Sequence, residues 1–194
     1  MEPCGAIITN EVVDPTVDLQ QFLLTPGDVP VGYTTKGPQV TTGTNFVASV
    51  PSTVPVSYIT FELGVPSTAT SPTSAPNYSI SEVIGMVSST QLAAQLAARI
   101  VSAAEQPECL DPGRSVPLSG PVANVTAIEN SGSSSAGSVA TATVVTSKGP
   151  YIINLSWASQ TSASQSSSAA AAPSPASLTE IESLLRVALS LIPG

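Results

Sequence analysis

Two apolar helical stripes, far apart in a chain otherwise rich in Val, Ile, Thr and Pro, constrain the fold more than any other feature. From residue 89 to 106, Leu92, Leu96, Ile100 and Ala104 recur at i, i+4, i+8 and i+12, and Ala93, Ala97 and Ala103 widen the stripe. Ser88-Ser89-Thr90 offers capping hydroxyls before this segment and Pro107 stops it. From 178 to 192 the stripe is Leu178, Ile181, Leu184, Leu185, Ala188, Leu191 and Ile192, and Ser177-Leu178-Thr179-Glu180 reads as a capping box. A shorter helix is expected over 14–24, with Asp14 as N-cap and Pro15 in the first turn. There Val17 lies near Phe22, and Leu19 near Leu23, until Thr25-Pro26-Gly27-Asp28 breaks the run.

Between these helices the pattern is that of strands. Thr44 to Val50 and Val54 to Val65 carry β-branched and aromatic residues on either side of Pro51-Ser52-Thr53, and Ile80 to Val87 reads as a buried strand. Residues 122–128 and 138–147 flank an expected hairpin tip at Asn130 to Gly137. Tyr151 to Trp157 follows the turn Lys148-Gly149-Pro150. The stretches 66–76 and 159–175, rich in Pro, Ser, Thr and Ala without apolar periodicity, read as flexible loops. The helices are too few and too widely spaced for alternating βαβ units, so the fold class is α+β. The expectation is a single domain with an antiparallel β-sheet and helices packed on one face.

Composition narrows the chemistry. The 194 residues include no histidine, so hydrolase triads and most zinc sites are excluded. Only 9% of residues are charged, and the net charge is -8. Lys36, Arg99, Arg114, Lys148 and Arg186 stand singly, which leaves no phosphate-tracking patch and argues against a nucleic-acid partner. No apolar run reaches the roughly 18 to 20 residues that span a bilayer, so no transmembrane segment is expected.

The two cysteines, Cys4 and Cys109, suit a single structural disulfide and hence an oxidising compartment. Such a bridge would close a loop worth about 4 to 5 kcal/mol in the chain-entropy picture. Two other readings stay open: a pair of free buried thiols, or a lipidated Cys4. Gly5 fits the residue after a lipoprotein cleavage site, but Glu2 and Pro3 do not fit those before it.

The run Leu23-Leu24-Thr25-Pro26-Gly27-Asp28-Val29-Pro30-Val31-Gly32-Tyr33 resembles the "LLT-P-x-D-x-P-x-G-[FY]" opening of exported actinobacterial sensor-like domains. That group includes the extracellular sensor domain of mycobacterial serine/threonine protein kinases. The later order is also similar: a strand leading into an Ala-rich helix that ends before Cys109, a hairpin meander, then a closing helix. The resemblance implies a secreted or cell-envelope domain with a cleft for a ligand and no catalysis. The kinase members carry two disulfides, whereas this chain has only two cysteines, so a second bridge and any cleft it braces are not implied here.

Candidate chemistry is sparse. Asp14 and Asp18 lie one helical turn apart, and Glu105, Glu108 and Asp111 cluster around Cys109, but neither set has the pattern of a catalytic pair or a calcium loop. Ser131 to Ser135 lacks both the G-x-S-x-G order and a histidine partner. No catalytic residue, metal site or cofactor is assigned. Asn77-Tyr78-Ser79, Asn124-Val125-Thr126 and Asn154-Leu155-Ser156 match the glycosylation acceptor pattern, which a chain so rich in Ser and Thr produces by chance. Among the aromatic residues Tyr33, Tyr58, Phe61, Tyr151 and Trp157, core packing is the default. Tyr58 and Trp157 are the ligand-binding candidates, because Ser or Thr flanks them. The leading expectation is a non-catalytic domain binding a lipid or glycan ligand as sensor or carrier, with peripheral envelope association. A cell-surface structural or interaction module is the alternative, and an enzyme working through carboxylates or a serine without histidine is the remote third.

Overall fold

The computed structural model describes residues 17–42, 55–63, 77–104, 114–118, 125–134, 137–162 and 175–193. They form one α+β unit around a seven-stranded antiparallel sheet. The strands are β1 (Thr34–Thr42), β2 (Pro55–Leu63), β3 (Asn77–Met86), β4 (Arg114–Pro117), β5 (Thr126–Ser134), β6 (Gly137–Lys148) and β7 (Tyr151–Ser162), in the order β1-β2-β3-β7-β6-β5-β4. Two helices, α1 (Thr90–Ala104) and α2 (Pro175–Leu191), complete it.

The helices lie on opposite faces, not on one. Leu184, Leu185 and Ala188 of α2 share a core with Phe61, Ile80, Ile84, Val144, Ile153 and Leu155. Leu96, Ala97 and Ile100 of α1 share another with Val56, Val145 and Ile152. Val144 and Val145 are consecutive, as are Ile152 and Ile153, and successive strand residues point to opposite faces. The centre of the sheet is therefore apolar on both sides and needs a cover on each.

Local chemistry sets the ends of both helices. The Ser89 hydroxyl accepts the Leu92 N–H at 3.2 Å, as the sequence predicts for the start of α1. α2 begins at Pro175, so Ser177 lies inside its first turn and not at the N-cap of a box. Its last turn is capped by a lysine from the sheet: Lys148 Nζ donates to the carbonyls of Leu189 at 2.8 Å and Ile192 at 2.6 Å. Between β6 and β7, Gly149 takes a φ of +56°, which a two-residue hairpin turn requires at its first central position.

The helix expected over 14–24 is, where described, a single 3-10 turn at Gln20–Phe22. Asp18 Oδ1 accepts the Gln20 N–H at 3.0 Å, and Leu23 is already extended, so the Leu24 N–H leaves the helical path. Leu19, Leu23, Leu24 and Val29 are nevertheless buried, and this strap lies beside α2 on the same face. The expected hairpin tip at 130–137 is largely strand, paired up to Ser134 opposite Gly137. β7 extends through Ser162 into the expected 159–175 loop. Residues 163–174 of that loop, the 66–76 loop and the expected strand over 44–50 lie outside the described residues.

Candidate functional site

Trp157 and Tyr58 do not come together. Trp157 pairs with Ile80 and Ala142 on the α2 face and is buried in the core, whereas Tyr58 has the parity of Val56 and faces the α1 side. The Trp157 indole N–H donates to the Tyr33 hydroxyl, and its ring packs 5.6 Å from that of Tyr78 at a tilt of 38°. Burial pushes the Tyr33 hydroxyl up to about 12, and nearby Glu180 adds to the rise. Phe61 and Tyr151 are core as well, the latter edge-on to Phe22 at 5.4 Å.

Several positions of the motif Leu23 to Tyr33 have a structural role. Asp28 Oδ2 accepts both the backbone N–H and the hydroxyl of Thr25, at 2.7 and 2.6 Å, which folds the Thr25-Pro26-Gly27-Asp28 turn. Gly32 has a φ of +107°, and a Cβ there would stand 3.0 Å from Leu63 Cδ1, so glycine is needed just before Tyr33. Leu24 donates its N–H to Glu82 Oε2 at 2.6 Å. Glu82 sits in mid-sheet, level with Ile59 on one side and Leu155 on the other, and is fully buried. Its Oε1 has no hydrogen-bond partner among the described residues. Desolvation by burial raises its carboxyl to about 7 and Asp28 reinforces the rise, against the pull of the Leu24 N–H.

The α1 face offers a different surface. Apolar contacts of α1 reach Val56, Val83, Val145 and Ile152. Farther from the β6–β7 turn the inward row becomes Thr60, Ser81, Ser156 and Thr143, consecutive across β2, β3, β7 and β6. Thr60 and Ser81 hydroxyls lie 3.3 Å apart, Thr143 and Ser156 3.1 Å, and Ser156 donates to Asn154 Oδ1 at 3.2 Å. All five side chains are only partly buried. One row on, a recess of about 280 Å³ is lined by Glu62, Ser79, Val139, Ala158 and Gln160, with Leu63 and Tyr78. A second, of about 310 Å³, runs between α1 and β5–β6 and is lined mainly by small groups, including Ala94, Ala97, Ala98, Val101 and Val145.

Of the remaining candidates, Asp18 is exposed and serves the 3-10 turn, and Ser131 is a paired strand residue. Asp14, the Glu105-Glu108-Asp111 cluster, Cys4 and Cys109 lie outside the described residues. Sequence reasoning missed Glu82, whose signal is a carboxylate inside the apolar alternation Ile80, Glu82, Ile84. It also missed the hydroxyl row, which becomes visible only when four strands are set in register. No helix among the described residues is long and apolar enough to cross a membrane. In comparisons with known proteins, no family model, curated protein or solved structure matches the chain.

Proposed function

We propose that this is a non-catalytic, extracytoplasmic binding domain of the cell envelope, in a sensory or carrier role, that takes a glycan on the open part of its α1 face. What carries the reading is the row Thr60, Ser81, Ser156 and Thr143 beside Asn154, Tyr58 and the Glu62–Gln160 recess. Each hydroxyl is one donor and two acceptors, so the cross-strand pairs leave capacity to meet sugar hydroxyls, and the face of an aromatic ring suits a sugar's C–H face. An apolar ligand would instead use the Ala/Val groove beside α1. The resemblance of the Leu23 to Tyr33 run to exported sensor domains supports the location and role.

A second reading, a cell-surface structural or interaction module, is favoured by the closed α2-face core, where Trp157 is packed against Tyr33 and Tyr78. Native mass spectrometry of the protein purified from an actinobacterial envelope separates the two. A reproducible added mass that yields sugar on denaturing extraction is the expected result. A bare mass in every preparation would reject the carrier reading and favour the module.

A further inference from the structure

Glu82 is an expensive residue to bury, and its surroundings are built from the N-terminal strap. The strap from Val17 to Pro30 lays Leu19, Leu23, Leu24 and Val29 into the α2-face core, and the Leu24 N–H reaches the carboxylate across 2.6 Å. Ile80, Ile84, Ile59 and Leu155 surround Glu82 within the sheet, and Oε1 meets no donor among the described residues. None of the five basic residues serves it. Lys36 pairs with Glu62, Arg114 with Glu129 and Arg186 with Glu182, while Lys148 caps α2 and Arg99 is exposed on α1 across the sheet. Of the charged groups on the packed elements, Asp28 of the strap bears on Glu82 and is itself acidic. Asp18 of the strap is turned to Gln20, and Glu180 of α2 lies by Tyr33.

We propose that residues 17–30 form a pH-gated strap, held firmly over the sheet while Glu82 carries a proton and loosened as that proton is lost to solvent. A buried carboxylate with one hydrogen bond and no counter-ion is costly, and lifting the strap lets water reach both oxygens. The neutral acid keeps the Leu24 hydrogen bond at Oε2 without that cost. The strap is the natural part to yield: its polar ties at Asp18 and Asp28 are local and survive lifting, whereas β3 is paired on both sides from Tyr78 to Gly85, with Glu82 inside that span.

Amide hydrogen exchange of the full chain tests this, with each rate divided by its intrinsic rate at that pH. The opening constant of Leu23, Leu24 and Val29 should rise by about a hundredfold or more between the pH where an exposed glutamate ionises and about 7, then level off, since each unit of the interval is worth tenfold. Ile153 and Leu155 in β7 should keep their protection throughout. In Glu82→Gln, whose amide oxygen still accepts from Leu24, the strap's opening should be independent of pH. A flat wild-type profile, an equal slope in the variant, or simultaneous loss of protection in β7 would each overturn the proposal. Should Glu82→Gln fail to fold, the wild-type Glu82 carboxyl 13C shift decides: titration within the range of exposed glutamates also overturns it.

Discussion

Trp157 is the only tryptophan, and its N–H is committed to Tyr33, so the pair can be tested without disturbing the indole. Tyr33→Phe should cost about 1 kcal/mol in urea unfolding, because the buried Trp157 donor loses its acceptor. Because Tyr33 lies on the α2 side, glycan binding should not change. Glu82 makes a pH-dependent prediction of opposite sign to that of a salt-bridged carboxylate. Its folded-state value of about 7 lies above the unfolded one, so its contribution is fully present below the unfolded value and is lost as pH rises toward 7. Compared at pH 5 and pH 8, Glu82→Gln should remove a decline of at most on the order of 3 kcal/mol. That position was legible in outline, since a carboxylate between Ile80 and Ile84 breaks an apolar alternation. Its partner was not, because Leu24 is distant in sequence and contributes only its backbone.

At the scale of elements, α1 and α2 could be read from sequence because their stripes bury one side of a helix and nothing else. That both faces of the sheet need a cover was also written there, in Val144-Val145 and Ile152-Ile153, since adjacent apolar residues in a strand imply burial on both faces, but which helix takes which face was not. β1 escaped because Thr34–Thr42 holds Gly37-Pro38 at the point where its register with β2 shifts, and an edge strand needs no apolar alternation. β4 escaped because four residues, Arg114–Pro117, carry too little pattern. The strap shows the converse failure: Leu19, Leu23 and Leu24 have helical spacing, yet their burial comes from lying along the sheet after one turn. Lys148 ties the β6–β7 turn to the end of α2 through two carbonyls. Lys148→Met should therefore lower stability by about 1 kcal/mol, read by thermal unfolding, and should fray the last turn of α2 in amide exchange.

Across the whole molecule the two faces divide the labour. On the α2 face the helix, the strap and the aromatic cluster close the core over Glu82, and the proposed pH response belongs to that face. On the α1 face the helix covers the apolar rows and leaves a hydroxyl and amide surface, the one proposed above to take a glycan. Ser81→Ala, in the middle of that row, should leave the fold intact and weaken glycan binding. The most direct test is an amide chemical-shift titration of the full chain with chitotetraose and, separately, with palmitate. A glycan surface on this row means that the sugar shifts Tyr58, Thr60, Ser81, Thr143 and Ser156 in a saturable way, and that Ser81→Ala weakens the response. Saturable shifts with palmitate at Ala97, Val101 and Val145 alone, or no saturable shift with either compound, would contradict it.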